Sequence, residues 1–115
     1  MNLPFKTDLS GKVAVVTGGG GILCGCMAKA LAACGAHVAV ISLHQESAER
    51  TAAAIVADGG IAKAFACNVL DRPGLETVER SVREAFGPVD ILVNGAGGNN
   101  PLGTTSKEYL FPSDL

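Results

Sequence analysis

Charged side chains are scarce in this sequence. Nine Lys and Arg with eleven Asp and Glu make up 17% of 115 residues, against 48% hydrophobic. A small free-standing domain has much surface per volume and ordinarily carries more charge. The shortfall predicts faces meant to be covered by a larger body. Basic runs are missing and the net charge is −2, so nucleic acid is not an expected partner. No apolar stretch approaches the length of a membrane span, and none is expected. The opening Met1-Asn-Leu-Pro-Phe-Lys-Thr-Asp8 lacks the apolar core of a signal peptide. The four cysteines, Cys24, Cys26, Cys34 and Cys67, form no C-x-x-C pair and no histidine cluster accompanies them. That favours reduced, buried thiols in a cytoplasmic protein over a disulfide or a metal. There is no internal repeat or low-complexity linker, and the length suggests one domain, residues 1–115.

What is abundant is glycine in one place. Lys12-Val-Ala-Val-Val-Thr17 runs into Gly18-Gly19-Gly20-Gly21, and an apolar helical pattern from Ile22 follows directly. That is the grammar of a strand, a tight turn and a helix whose N-terminus faces an anion. Glycine has no Cβ, so a phosphate can approach the N–H groups closely. Free amides and the helix dipole then offset its charge. The run does not match G-x-G-x-x-G. Gly20-x-x-x-x-Gly25 matches the start of a P-loop, but Cys26 and Met27 stand where Lys and Ser/Thr belong, which argues against nucleoside triphosphate chemistry. A purely structural glycine turn is the competing reading.

The rest of the chain alternates. Residues 1–10 read as a loosely attached lead-in. Lys12–Thr17 reads as a buried strand. Ile22–Cys34 reads as a helix buried nearly all round, because Lys29 is its only charge. Gly35 is its C-terminal cap. His37–Ser42 is a second strand. Glu46–Ala57 is an amphipathic helix with Ala48, Ala52, Ile55 and Val56 inward. Ile61–Ala66 is a third strand. Asp71 can cap the next helix, with Pro73 tolerated in its first turn. Its inner face is Leu75, Val78, Val82, Ala85 and Phe86, and Glu76 with Arg80 and Glu79 with Arg83 are i,i+4 pairs outside. Val89–Val93 is a fourth strand, followed by a loop over 94–103. Thr105-Ser-Lys-Glu108 fits a capping box for one more helix. Crossovers of helix length make the strands parallel with right-handed connections. The fold class is therefore α/β: a doubly wound parallel sheet of Rossmann type, with strand order 3-2-1-4. The ligand belongs beyond the carboxyl ends of the strands, where Gly18–Gly21, Ser42, Asn68 and Asn94–Gly97 all fall. A flavodoxin-like or receiver-type domain is a third reading, which four glycines after the first strand disfavour.

At these residues the sequence resembles the short-chain dehydrogenases/reductases. Their Thr-Gly-x-x-x-Gly-x-Gly is met by Thr17 and Gly18, while Ile22 and Cys24 replace the later glycines. Their Asn-Asn-Ala-Gly is met as Asn94-Gly95-Ala96-Gly97, after Pro88-Val-Asp-Ile-Leu-Val93, and their acidic-Val pair as Asn68-Val69. The resemblance covers Leu9 to about Glu108. More narrowly, Thr17–Gly25 and Asn94–Pro101 are similar to a branch of mannonate oxidoreductases (fructuronate reductase-like), which act on sugar acids.

The resemblance implies that the backbone of Gly18, Gly20, Gly21, Ile22 and Leu23 holds a pyrophosphate. It implies that Asn68, with Val69, faces the adenine edge, that Asn94 braces the sheet, and that Ala96 and Gly97 lie near the nicotinamide ribose. For Asn94 a loop cap is the plain alternative. Cofactor choice rests on the end of the second strand, where an acid would bond the 2′-hydroxyl of NAD and repel the 2′-phosphate of NADP. Ser42 stands there, followed by Leu43 and His44, so NADP is favoured slightly over NAD. His44 reads as a solvated surface residue sooner than as a phosphate ligand. Cys24, in the first turn of a helix, is either a thiol whose alkylation impairs cofactor binding or a small packing residue in place of glycine.

The family's catalytic Ser and Tyr-x-x-x-Lys lie beyond the fourth strand. Here the only tyrosine is Tyr109, and four residues on stands Ser113, so no catalytic residue is assigned. The resemblance thus implies the cofactor half of an NAD(P)-dependent oxidoreductase acting on a carbonyl or alcohol of a sugar acid or polyol, homo-oligomeric when complete and inactive as 115 residues. The alternative is a truncated nucleotide-binding or interaction module without chemistry. No metal site is expected.

Overall fold

The computed structural model describes residues 1–5 and 7–97. Seven elements follow one another: β1 (Val13–Thr17), α1 (Ile22–Ala33), β2 (His37–Ser42), α2 (Gln45–Ala57), β3 (Ile61–Ala66), α3 (Arg72–Phe86) and β4 (Ile91–Asn94). The strands form one sheet in the order β3-β2-β1-β4, all parallel. This is the doubly wound α/β arrangement with strand order 3-2-1-4 that the alternation predicts.

The two faces have separate cores. Ala14, Val16, Val38 and Val40 point to one side and meet Ala28 and Ala32 of α1 and Ala48, Ala52 and Ile55 of α2. Val13, Val15, Ala39 and Ile41 point to the other and meet Cys67 with Val78 and Val82 of α3. The central strand β1 is therefore buried along its whole length, which is why it reads as an unbroken apolar run. Its foot is clasped to β4: the Val13 N–H donates to Asp90 Oδ2 at 2.9 Å, and the Asp90 N–H donates to the Val13 carbonyl at 2.9 Å.

Small residues let α1 lie close to the sheet, and Gly35 ends it at φ +101°. The Gly35 and Ala36 N–H groups return to Ala32 and Leu31, a Schellman closure. Burial of α1, however, is confined to the stripe Gly25, Ala28, Ala32. Ile22 is 96% exposed and Leu23 68% exposed, because nothing among the described residues packs on that outer face. The expectation of a helix buried nearly all round is corrected accordingly. In α2, Val56 faces water and Thr51 takes its place on the buried stripe. In α3, Ala85 is exposed. Glu76 pairs with Arg72 at 3.6 Å, while Glu79 with Arg83 forms as expected at 2.7 Å.

Asp71 occupies the N-cap position of α3 but makes no capping bond; its carboxylate lies over Gly74. The lead-in is anchored at two points. Leu9 packs on the core and its N–H donates to the Cys34 carbonyl at 2.8 Å, and the Met1 amino group pairs with Asp58. The predicted capping box at Thr105–Glu108, Tyr109 and the loop beyond Gly97 lie outside the described residues.

Candidate functional site

The carboxyl ends of β1, β2 and β4 converge, with the β3–α3 loop alongside, at the point where the strand order turns from β2 on one side of β1 to β4 on the other. Such a switch point leaves a crevice for a ligand. The glycine turn fills its middle, and each glycine there has a separate packing reason. Gly18 has φ +68°, and a Cβ on it would stand 2.7 Å from the Gly95 carbonyl oxygen and 2.9 Å from the Ala96 nitrogen. The loop after β1 and the loop after β4 thus touch backbone to backbone. A Cβ on Gly19 would stand 2.7 Å from Val40 Cγ1, and one on Gly20 would stand 2.4 Å from Ser47 Cβ and 2.7 Å from Ser42 Oγ. Gly19 and Gly20 thus each have a packing reason to lack a side chain.

The bare amides are fewer than the glycine count suggests. The Gly19 N–H donates to the Ile41 carbonyl at 2.9 Å, and the Gly21 N–H to the Gly18 carbonyl at 3.0 Å. Gly21 is the N-cap of α1 and supplies no side chain. The N–H groups of Gly20, Ile22, Leu23 and Cys24 have no acceptor among the described residues. These four open donors lie at the positive end of the α1 dipole.

Two threonines frame this patch, and neither is in the set read from sequence. Thr17, 6% exposed, accepts from the Gly95 N–H at 3.0 Å and the Ala96 N–H at 3.2 Å, and its hydroxyl faces the Val93 carbonyl at 3.4 Å. Thr51, on α2, donates to the Gly19 carbonyl at 2.8 Å. The signal for Thr51 was present: it sits three residues after Ala48, a polar side chain on an apolar stripe.

The remaining predicted residues are placed as follows. Ser42 is half-buried with its hydroxyl beside Gly20. His44 is exposed at the N-cap position of α2. Asn68 is exposed; its Oδ1 accepts the Leu70 N–H at 2.9 Å. Val69 and Asn94 border an apolar groove of about 440 Å³ that continues along Thr17, Ile41, Leu75 and Leu92. Ala96 and Gly97 are exposed, and a Cβ on Gly97 would meet nothing within 4 Å. A larger hollow of about 750 Å³, lined by Met1, Lys29, Ala33, Asp58 and Gly59 among others, lies at the opposite end of the strands and touches none of these residues. Among the described residues there is no cluster of three His, Cys, Asp or Glu, and no helix long and apolar enough to cross a membrane.

A parallel sheet opening onto uncapped helix amides at its switch point defines a Rossmann-type protein. Residues 12–110 match the family model of the short chain dehydrogenases, and the chain belongs to that family. Among solved structures, a proposed D-mannonate oxidoreductase from Haemophilus influenzae with bound NAD superposes with a TM-score of 0.80 at 42% identity, covering 91% of this chain and 38% of that one. A metagenomic short-chain oxidoreductase in complex with NADP gives 0.76 at 35% identity, covering 80% and 42%. A D-threitol dehydrogenase of Mycolicibacterium smegmatis is 39% identical over 97 residues, 84% of this chain and 37% of that protein. The chain spans about 38% of the length of the first curated relatives it matches.

Proposed function

We propose that residues 1–115 are the dinucleotide-holding half of an NAD(P)-dependent oxidoreductase that moves a hydride between a nicotinamide and a carbonyl or hydroxyl of a sugar acid or polyol. The observation that carries this is the uncapped N-terminus of α1, with four open amides beside the loops that follow β1 and β4. A diphosphate fits such a patch: it needs donors, positive potential and no Cβ in the way. When bound, the nicotinamide supplies the hydride chemistry. The residues of this chain bind and orient. Gly20, Ile22 and Leu23 offer amides to the diphosphate, with Gly18 and Gly21 shaping the turn. Asn68 turns its amide to the adenine, with Val69 beneath. Asn94, Ala96 and Gly97 border the nicotinamide end. Ser42 stands where the 2′-substituent is read, and its lack of charge favours NADP slightly. The sugar-acid assignment draws support from the relative described as a D-mannonate oxidoreductase, and the polyol assignment from the D-threitol dehydrogenase.

Calorimetric titration of NAD and NADP into the protein, taken to the end of its reading frame, tests the reading. Binding of either supports it; heat from neither overturns it. Ser42→Asp is expected to shift preference toward NAD by about tenfold or more, through repulsion of the 2′-phosphate and bonding of the 2′-hydroxyl.

A further inference from the structure

The thiol of Cys24 and the bare Cα of Gly95 share one space. A Cβ built on Gly95 would stand 1.9 Å from Cys24 Sγ and 3.2 Å from Cys24 Cβ. Cys24 is the third residue of α1 and half-buried; Gly95 is the first residue after β4. The helix that opens onto the crevice therefore leans on the loop that borders it, through one side chain with no room for a second. These are also two positions where the sequence departs from the family's motifs, with a larger residue at 24 and a smaller one at 95.

We propose that Cys24 is a positioning residue of the nucleotide site, acting through Gly95. The Thr17 hydroxyl draws the Gly95 and Ala96 amides toward β1. The Cys24 thiol is the stop against which that pull ends. A small, polarisable side chain packed on bare backbone sets the gap between the first turn of α1 and the Gly95–Gly97 segment. A methyl added at 95 has to push one of the two aside, at a cost in stability. The functional part of this proposal rests on the nucleotide reading above; the steric part does not.

The test is a double-mutant cycle in the protein taken to the end of its reading frame. Gly95→Ala is made with Cys24 in place and again in a Cys24→Gly background. The new Cβ also meets the Thr17 carbonyl oxygen at 2.8 Å, a contact common to both backgrounds that cancels from the comparison. The readouts are the thermal unfolding midpoint and the dissociation constants for NAD and NADP. With Cys24 present, Gly95→Ala is expected to lower the midpoint and weaken nucleotide binding about tenfold or more; in the Cys24→Gly background the loss shrinks to about threefold or less. If Gly95→Ala alone does not fold and the double variant does, that too supports the proposal. Equal losses in both backgrounds overturn it. Coupling in the midpoint without coupling in nucleotide affinity overturns the positioning role and leaves only a steric pair. Absence of nucleotide binding to the unaltered protein overturns the nucleotide reading and the positioning role with it, while the midpoint cycle still reports on the contact.

Discussion

The Thr51 hydroxyl donates to the Gly19 carbonyl across 2.8 Å, both residues being buried. Through this bond α2 holds the glycine turn from beneath, and the turn presents its open amides at a fixed tilt. Thr51→Val keeps the shape, removes the donor and leaves a buried carbonyl unpaired. The expected loss is about 1–3 kcal/mol of folding stability. Urea unfolding measures it, and an unchanged midpoint would show the bond to be idle.

Gly20→Ala should be among the most damaging substitutions in the turn. Its Cβ would fall 2.4 Å from Ser47 Cβ, on a helix that cannot yield without shifting as a whole. Overpacking of this kind costs about 1–3 kcal/mol. The same change at Gly97, where no atom lies within 4 Å, should cost less stability. Comparing the two midpoints separates packing from backbone freedom.

Cys67 gives the fold an alkaline sensitivity. Burial between the sheet and α3 pushes its thiol above the ordinary value of 9.0, and the Asp71 charge pushes the same way. The folded state therefore holds this proton more tightly than the unfolded state. Below about pH 9 both states carry the thiol and nothing is lost; above it the unfolded chain ionises first and stability falls as pH rises. Urea unfolding between about pH 8 and about pH 10 should show the decline, and Cys67→Ala should lessen it.

Apolar surface is open on two sides. Ile22, Leu23 and Met27 of α1 are exposed, as are Val89 and Leu92 near β4, whose outer edge is unpaired among the described residues. The 115-residue chain by itself is expected to self-associate, seen as a concentration-dependent mass in sedimentation or light scattering. Leu92→Lys should reduce it. The same isolated chain is expected to show no ketone-dependent oxidation of NADPH or NADH.

Much of the fold is legible because burial leaves a plain record. Val13–Val16 and Val38–Ile41 are buried on both faces, so they carry no polar residue to disguise them. Glycines at 35, 59 and 87, all at positive φ, punctuate the helices. What escapes the sequence is partnership. Nothing in an apolar α1 tells which side lacks a neighbour, so Ile22 and Leu23 read as buried. Glu76 has arginines four residues away in both directions, and spacing alone does not choose Arg72. The site shows the same division. The strand-end loops are plain from the pattern, but which glycine amides stay open depends on the Gly19–Ile41 bond, a contact between distant segments.

The clasp between Val13 and Asp90 at the foot of β1, with Thr17 tied to the loop at its head, fixes β4 by side chains already synthesised. Its alignment rests on contacts within these four strands. A chain emerging from the ribosome can therefore set β1 and β4 in register as soon as residue 96 is free to fold.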